Sequence, residues 1–151
     1  AQRTFELRTA VPVPPEAAVD FLSDLARHRG LHPYLAEGVV TGRGRSDNGE
    51  WTQWRVRERP RLGPFRYSIS FGARLTRTSP TSFDAYVLAA PGCTIHSSTE
   101  ASPGDEPGTA LVRERSIVTA PRLLLSYMAH HAEIAHARTF RLLPDVLGEH
   151  R

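Results

Sequence analysis

Residues 121–143 read PRLLLSYMAHHAEIAHARTFRLL, and the rest of the chain is best read outward from this stretch. At 100° per residue Leu124, Leu125, Met128, Ala132, Ala135 and Leu142 fall within one broad arc, while Ser126, His130, Glu133, Ala137 and Arg141 fall roughly opposite. The pattern predicts one amphipathic helix with a buried face and a wet face. Thr119 is placed to cap its start, Pro121 suits a first turn because its missing N–H has no partner there, and Pro144 with Gly148 ends the periodic part. These bounds span about 35 Å at 1.5 Å per residue, enough to cross a small domain. Tyr127, His131 and Arg138 stand on the shoulder of the arc. Either they edge the core and snorkel to water, or they line a cavity beneath the helix.

Upstream of this helix the period changes to two. Arg3 to Val11 alternates apolar and polar side chains and predicts a half-buried strand. PVPP breaks it, and Glu16 to Gly30 predicts a helix of about 14 residues with Ala18, Phe21, Leu22 and Leu25 on one face, followed by a second turn around His32 to Leu35. Six further strands follow: Gly38 to Gly44, Glu50 to Arg59, Phe65 to Leu75, Ser82 to Ala89, Cys93 to Ala101 and Thr109 to Val118. Asn48-Gly49 marks the tip of the first hairpin, and APG and SPGDEPG mark later turns. Short connections make these six strands an antiparallel meander, and a sheet with one apolar face needs a cover that only the last helix is long enough to supply. The expected architecture is α+β: a seven-stranded curved antiparallel sheet wrapped around a long C-terminal helix, with one or two short helices after the first strand, all in a single domain over residues 1–151.

Composition narrows the function. With 40% hydrophobic and 23% charged residues and a formal charge of +3, the chain reads as soluble and globular. No run approaches the ~18 apolar residues of a membrane span, so stable membrane insertion is not expected and a cytoplasmic location is. All nineteen basic residues are arginine, which removes Schiff-base lysines and the phosphate-gripping lysine of P-loops. Cys93 is the only cysteine, so neither an internal disulfide nor a cysteine-based zinc site can form. The arginines alternate with acids and apolar residues; Arg55, Arg57, Arg59 and Arg61 fit one solvated strand face, and nucleic-acid binding is not expected.

Among candidate site residues, Glu58 shares a strand face with Trp54 and Val56: either it points inward, where burial would raise its pKa and fit it for acid–base work, or a local bulge or face switch returns it to water. Glu114 has the same parity as Val112 and Val118, but its neighbours Arg113 and Arg115 make the triplet polar and favour an outward turn. His96 lies with Thr94, Ser98 and Glu100 on a polar, outward face. His130, His131 and His136 diverge around the helix, so no metal site and no cofactor are expected, and of the three only His131 is read as pointing inward. Nothing resembles a nucleophile motif. Small residues at inner positions, Ala73, Ala85 and Ser97 among them, widen the space under the helix.

The element order, the opening VPVPPEAAVDFLSDLARHRGLHPYL (11–35), the strand PGCTIHSSTEA (91–101) and the helix TAPRLLLSYMAHHAEIAHARTFRLL (119–143) together resemble the START-like, or SRPBCC, superfamily of helix-grip proteins, and within it the polyketide cyclase/dehydrase group. The resemblance implies a bacterial protein that binds a hydrophobic, aromatic or polycyclic small molecule between sheet and helix. If catalytic, it would cyclise or dehydrate a bound polyketide by proximity and general acid–base chemistry without a covalent intermediate, with His131, Tyr127, Arg138 and Glu58 moving protons or stabilising an enolate. Trp54, Val56, Tyr67, Ile69 and Phe71 would line the pocket from the sheet and Leu124, Met128 and Ala135 from the helix. A non-catalytic lipid or isoprenoid-quinone carrier and a protein-interaction module of the same fold are the alternatives, and a homodimer is compatible with any of them.

Overall fold

In the computed structural model, residues 1–28, 31, 35–59, 61–62, 64–66, 69–90 and 92–149 are described. Strand β1 (Gln2–Val11) is followed by helix α1 (Pro15–Leu22) and a 3-10 turn at Leu25–Arg27. Then come β2 (Leu35–Ser46), β3 (Gly49–Glu58), the two-residue strands β4 (Arg61–Leu62) and β5 (Phe65–Arg66), β6 (Ile69–Ser79), β7 (Ser82–Ala90), β8 (Cys93–Pro103), β9 (Ala110–Thr119) and helix α2 (Leu125–Glu149). Seven strands form one curved antiparallel sheet in the order β1-β9-β8-β7-β6-β3-β2, and β4 and β5 pair separately. The expected meander is therefore present, extended at one edge by β1 pairing with the last strand.

Period-two alternation decides which face of each strand is buried. Trp54 and Val56 on β3, Ala73 and Leu75 on β6, Cys93, Ser97, Thr99 and Ala101 on β8, and Ala110, Val112, Ser116 and Val118 on β9 all point to the concave side. Gly49 opens β3 with φ of 136°, and a Cβ there would lie 1.9 Å from the Arg77 carbonyl oxygen, so the hairpin tip requires glycine.

Both helices pack onto this floor. Pro15 at the first turn and Glu16 behind it start α1, whose Ala18, Val19, Phe21 and Leu22 are buried. It is shorter than the helix expected over 16–30, because Asp24 turns its carboxylate back to accept from the Ala26 N–H at 3.2 Å and diverts the chain into the 3-10 turn. The second turn expected around His32 falls largely outside the described residues. The strand expected over 65–75 is also divided: Phe65 and Arg66 pair back with β4, and the long strand begins at Ile69.

Helix α2 is continuous and lies on the concave face, where Ala129 and Ala132 pack with Phe5 and Val118, and Phe140, Leu143 and Leu147 join Val19, Phe21 and Val112 in the main core. It starts at Leu125 rather than Pro121, after a turn in which the Leu124 N–H donates to the Pro121 carbonyl at 2.8 Å. Nor does Pro144 end it. A proline inside a helix forfeits one backbone hydrogen bond and typically costs ~3 kcal/mol. Burial of Leu143 and Leu147 on either side offsets this and carries the helix to Glu149.

Candidate functional site

The concave face is mostly apolar, with a polar strip on the neighbouring strands β8 and β9. Among the described residues Ser97, Thr99 and Ser116 are its buried polar side chains, and the Ser97 and Ser116 hydroxyls hydrogen-bond to each other at 2.7 Å. Glu114 lies opposite Thr99 in the same strip. The outward turn expected for Glu114 does not occur: β9 pairs without interruption from Gln2↔Thr119 to Val11↔Ala110, and a strand without a bulge keeps every second residue on one face. Its carboxylate meets His136 of α2, with Nδ1 to Oε2 at 2.7 Å and side-chain exposures of 25% for the imidazole and 11% for the carboxylate. The ring of Phe5 stands edge-on to His136, centroids 5.6 Å apart.

Burial alone would push the His136 pKa down. The Glu114 charge, its hydrogen bond and the nearby charge of Glu58 outweigh that penalty and hold it above the ordinary imidazole value. Glu58, the last residue of β3 and half-buried, has its carboxyl pushed up by burial, against the opposing influence of His136. A carboxylate thus orients an imidazole through Nδ1, and a second carboxyl of raised proton affinity stands within its field. That arrangement can donate a hydrogen bond, accept one, or move a proton. Further into the core, the Trp54 indole N–H is buried with no hydrogen-bond partner among the described residues.

Other expected residues fall elsewhere. Tyr127, His131 and Arg138 do not edge the interior: all three are exposed, Tyr127 at 64%, and the rings of Tyr127 and His131 pack against each other at a tilt of 53° with centroids 4.3 Å apart. The buried stripe runs through Ala129, Ala132, His136, Phe140, Leu143 and Leu147, the i, i+3, i+7 spacing, and these three residues lie roughly 180° away from it. The arc read from sequence was displaced by Leu124 and Leu142 on its flank; Leu124 is 48% exposed. His136, read as divergent, is at the centre of the stripe, and the spacing from Ala132 to Phe140, Leu143 and Leu147 is the signal that finds it. Trp54, Val56 and Ala135 are buried, Met128 and Phe71 half-buried against the core, while Tyr67 and the Ile69 side chain lie outside the described residues. His96 is exposed on the convex face beside Tyr86, as expected. His28 is structural: it stacks on Phe21, bonds the Phe21 carbonyl at 3.0 Å, and burial lowers its pKa.

Among the described residues no three His, Cys, Asp or Glu side chains are arranged to hold a metal ion, and no helix is long and apolar enough to cross a membrane. Among the described residues, surface hollows lie along β2 and β3. One, of about 490 Å³, is bordered by Arg43, Arg45 and Trp51, and another, of about 210 Å³, by Glu37, Arg55 and Arg57. Neither touches Glu58, Glu114 or His136, and charged rims of this kind do not suit an apolar ligand.

No protein-family profile matches the chain, and no curated protein sequence does. Solved structures do match over nearly its whole length. A START superfamily protein from Mycobacterium smegmatis superposes with a TM-score of 0.69 at 13% identity, covering 95% of this chain and 98% of that one. The Zhui aromatase/cyclase from Streptomyces sp. R1128 gives 0.68 at 14% identity over 99% and 93%. The di-domain ARO/CYC StfQ of the steffimycin biosynthetic pathway gives 0.74 at 12% identity, with 99% of this chain matching 51% of that chain. A curved antiparallel sheet whose first strand pairs with its last, a long C-terminal helix in its concavity and these superpositions lead to one conclusion: the chain has the START-like, helix-grip fold.

Proposed function

We propose that the protein binds an uncharged hydrophobic small molecule, aromatic or polycyclic, between the concave face of the sheet and α2, with His136, Glu114, Glu58 and Trp54 supplying its polar contacts. The observation that carries this reading is the largely buried His136–Glu114 pair, set against the apolar cluster of Phe5, Val118, Ala129 and Ala132. Apolar side chains of similar volume would pack there at no desolvation penalty, so an ionisable pair retained at such a place points to a role beyond stability. The charge balance narrows the ligand. Two carboxyl groups face one imidazole, leaving the strip neutral or negative, so a ligand with an anionic head group would be repelled while hydroxyl and carbonyl groups find donors and acceptors.

The aromatase/cyclases among the structural neighbours support a catalytic version of the same reading. In it, ionised Glu58 takes a proton from a carbon next to a ligand carbonyl, and protonated His136 hydrogen-bonds the enolate oxygen that forms. The enolate carbon then attacks a second carbonyl of the same chain, and the proton returns to the new alkoxide. Glu114 keeps His136 protonated and oriented. Tyr127, His131 and Arg138, exposed on the far side of α2, take no part.

Native mass spectrometry of the purified protein, with fluorescence titration by a polycyclic aromatic probe, tests binding. A retained small molecule or saturable quenching of tryptophan emission is expected, with affinity reduced about fivefold or more in His136→Leu as one hydrogen bond is lost. No retained molecule, together with no quenching by polycyclic or quinone probes, would reject the reading. Binding of a polyketide-like substrate without any turnover would leave a carrier.

A further inference from the structure

The outward side of α2 is not a normal wet face. Leu123 is 97% exposed in the turn before the helix, and Leu124, Tyr127 and Ile134 are 48%, 64% and 53% exposed. At 100° per residue Tyr127 and Ile134 fall on the side opposite the buried stripe, and Leu123 and Leu124 continue that strip past the helix start. Scattered single apolar residues on a surface need no explanation, but four within twelve residues on one side form a patch. The charges beside it are mostly basic. Arg122, Arg138 and Arg141 are exposed, as are His130 and His131, and Arg3 reaches over from β1 to bond the Ser126 hydroxyl at 3.4 Å. Among the described side chains of α2 the acids are Glu133, on the flank, and Asp145, about three turns beyond Ile134.

We propose that this side of α2 docks on an anionic membrane surface, lying in the interface plane with Leu123, Leu124, Tyr127 and Ile134 dipping toward the acyl chains and the arginines on the head groups. A helix that lies on a membrane carries this combination: an apolar strip, a basic border and an aromatic ring of amphipathic character. Charge complementarity selects anionic lipid, since Arg122, Arg138 and Arg141 would gain little from a zwitterionic surface. Four side chains form too small a strip for the ~800 Å² per partner of a stable protein interface. Docking does not depend on what the interior binds. It would, however, set an apolar-ligand protein down where apolar molecules dissolve.

The test is flotation of the intact protein with vesicles of phosphatidylcholine alone and of phosphatidylcholine mixed with phosphatidylglycerol, at low and high salt, alongside sedimentation equilibrium without lipid. Binding is expected to the mixed vesicles at low salt, to be weakened by high salt, and to be absent from phosphatidylcholine. Leu123→Glu with Leu124→Glu should reduce partitioning about tenfold or more, and Arg138→Glu with Arg141→Glu by a similar factor, each with an unchanged circular dichroism spectrum and thermal midpoint. These positions are exposed, so loss of fold is not expected, and the vesicle-independent measurements check it. No partitioning into the mixed vesicles would overturn the proposal, as would equal partitioning of wild type and both variants. A concentration-dependent dimer abolished by Leu123→Glu, with no vesicle binding, would assign the strip to a second copy of the chain instead.

Discussion

Replacing Glu114 by Gln removes a charge from the interior while keeping shape and one acceptor. In the native protein the carboxylate accepts from His136 Nδ1 at 2.7 Å, a length typical of a charge-assisted bond. Such bonds contribute about 1.5–3 kcal/mol net, and the 25% exposure of the imidazole places this one near the lower end, at about 2 kcal/mol. The pH dependence distinguishes the pair from ordinary packing. Because the folded-state pKa of His136 lies above its unfolded value of about 6.5, its contribution is fully present below that pH and is lost as pH rises through the folded pKa. In Glu114→Gln the largest opposing influence is gone and burial dominates, so the His136 pKa should fall and the variant should instead lose stability on acidification. Urea unfolding at pH 6 and pH 9 measures both effects. The expected loss is about 2 kcal/mol at pH 6 and clearly less at pH 9, and Glu114→Leu with His136→Leu should restore most of it, since neither charge of the pair is then left buried without its partner. A variant as stable as the parent at pH 6, with an unaltered pH slope, would show that the pair is solvated and the site argument unfounded.

Glu58→Gln should act in the opposite direction. The raised pKa means that Glu58 holds its proton more tightly when folded, so the native state loses stability as pH rises through the carboxyl range; the variant should have a higher thermal midpoint than the parent at pH 7 and the same one near pH 3, checked by calorimetry. Leu143 is fully buried in the main core, and Leu143→Ala should destabilise by about 2–5 kcal/mol in denaturant unfolding. His131→Leu and Tyr127→Phe, both on the exposed side, should leave probe affinity within about twofold of the parent, and a larger loss in fluorescence titration would return them to the ligand site.

The architecture was legible in the residues because it rests on local periods. Strands from Gly38 onward alternate with period two, short turns join neighbours, and residues 121–143 repeat near 3.6; such patterns survive without knowledge of what packs on what. His96 was placed correctly for the same reason, since its strand is regular and its face polar. What the local pattern could not decide was the direction of α2. Apolar side chains occur nearly all round its first turns, with Leu123, Leu124 and Ile134 outward and Leu125, Met128 and Ala129 inward, so hydrophobicity alone left the buried stripe uncertain by a large rotation. The tertiary structure selects the rotation that sets Ala129 and Ala132 against Phe5 and Val118 and Phe140, Leu143 and Leu147 into the main core, because small residues let the helix approach the sheet and large ones fill the space at its far end. That same rotation carries His136 inward and Tyr127, His131 and Arg138 outward. Glu114 illustrates the other limit: flanked by two arginines it reads as surface, yet uninterrupted pairing on both sides of β9 turns it to the interior, where a histidine 22 residues further along the chain gives it a partner. Composition and period determined the fold; contacts between distant segments determined which ionisable groups share its interior.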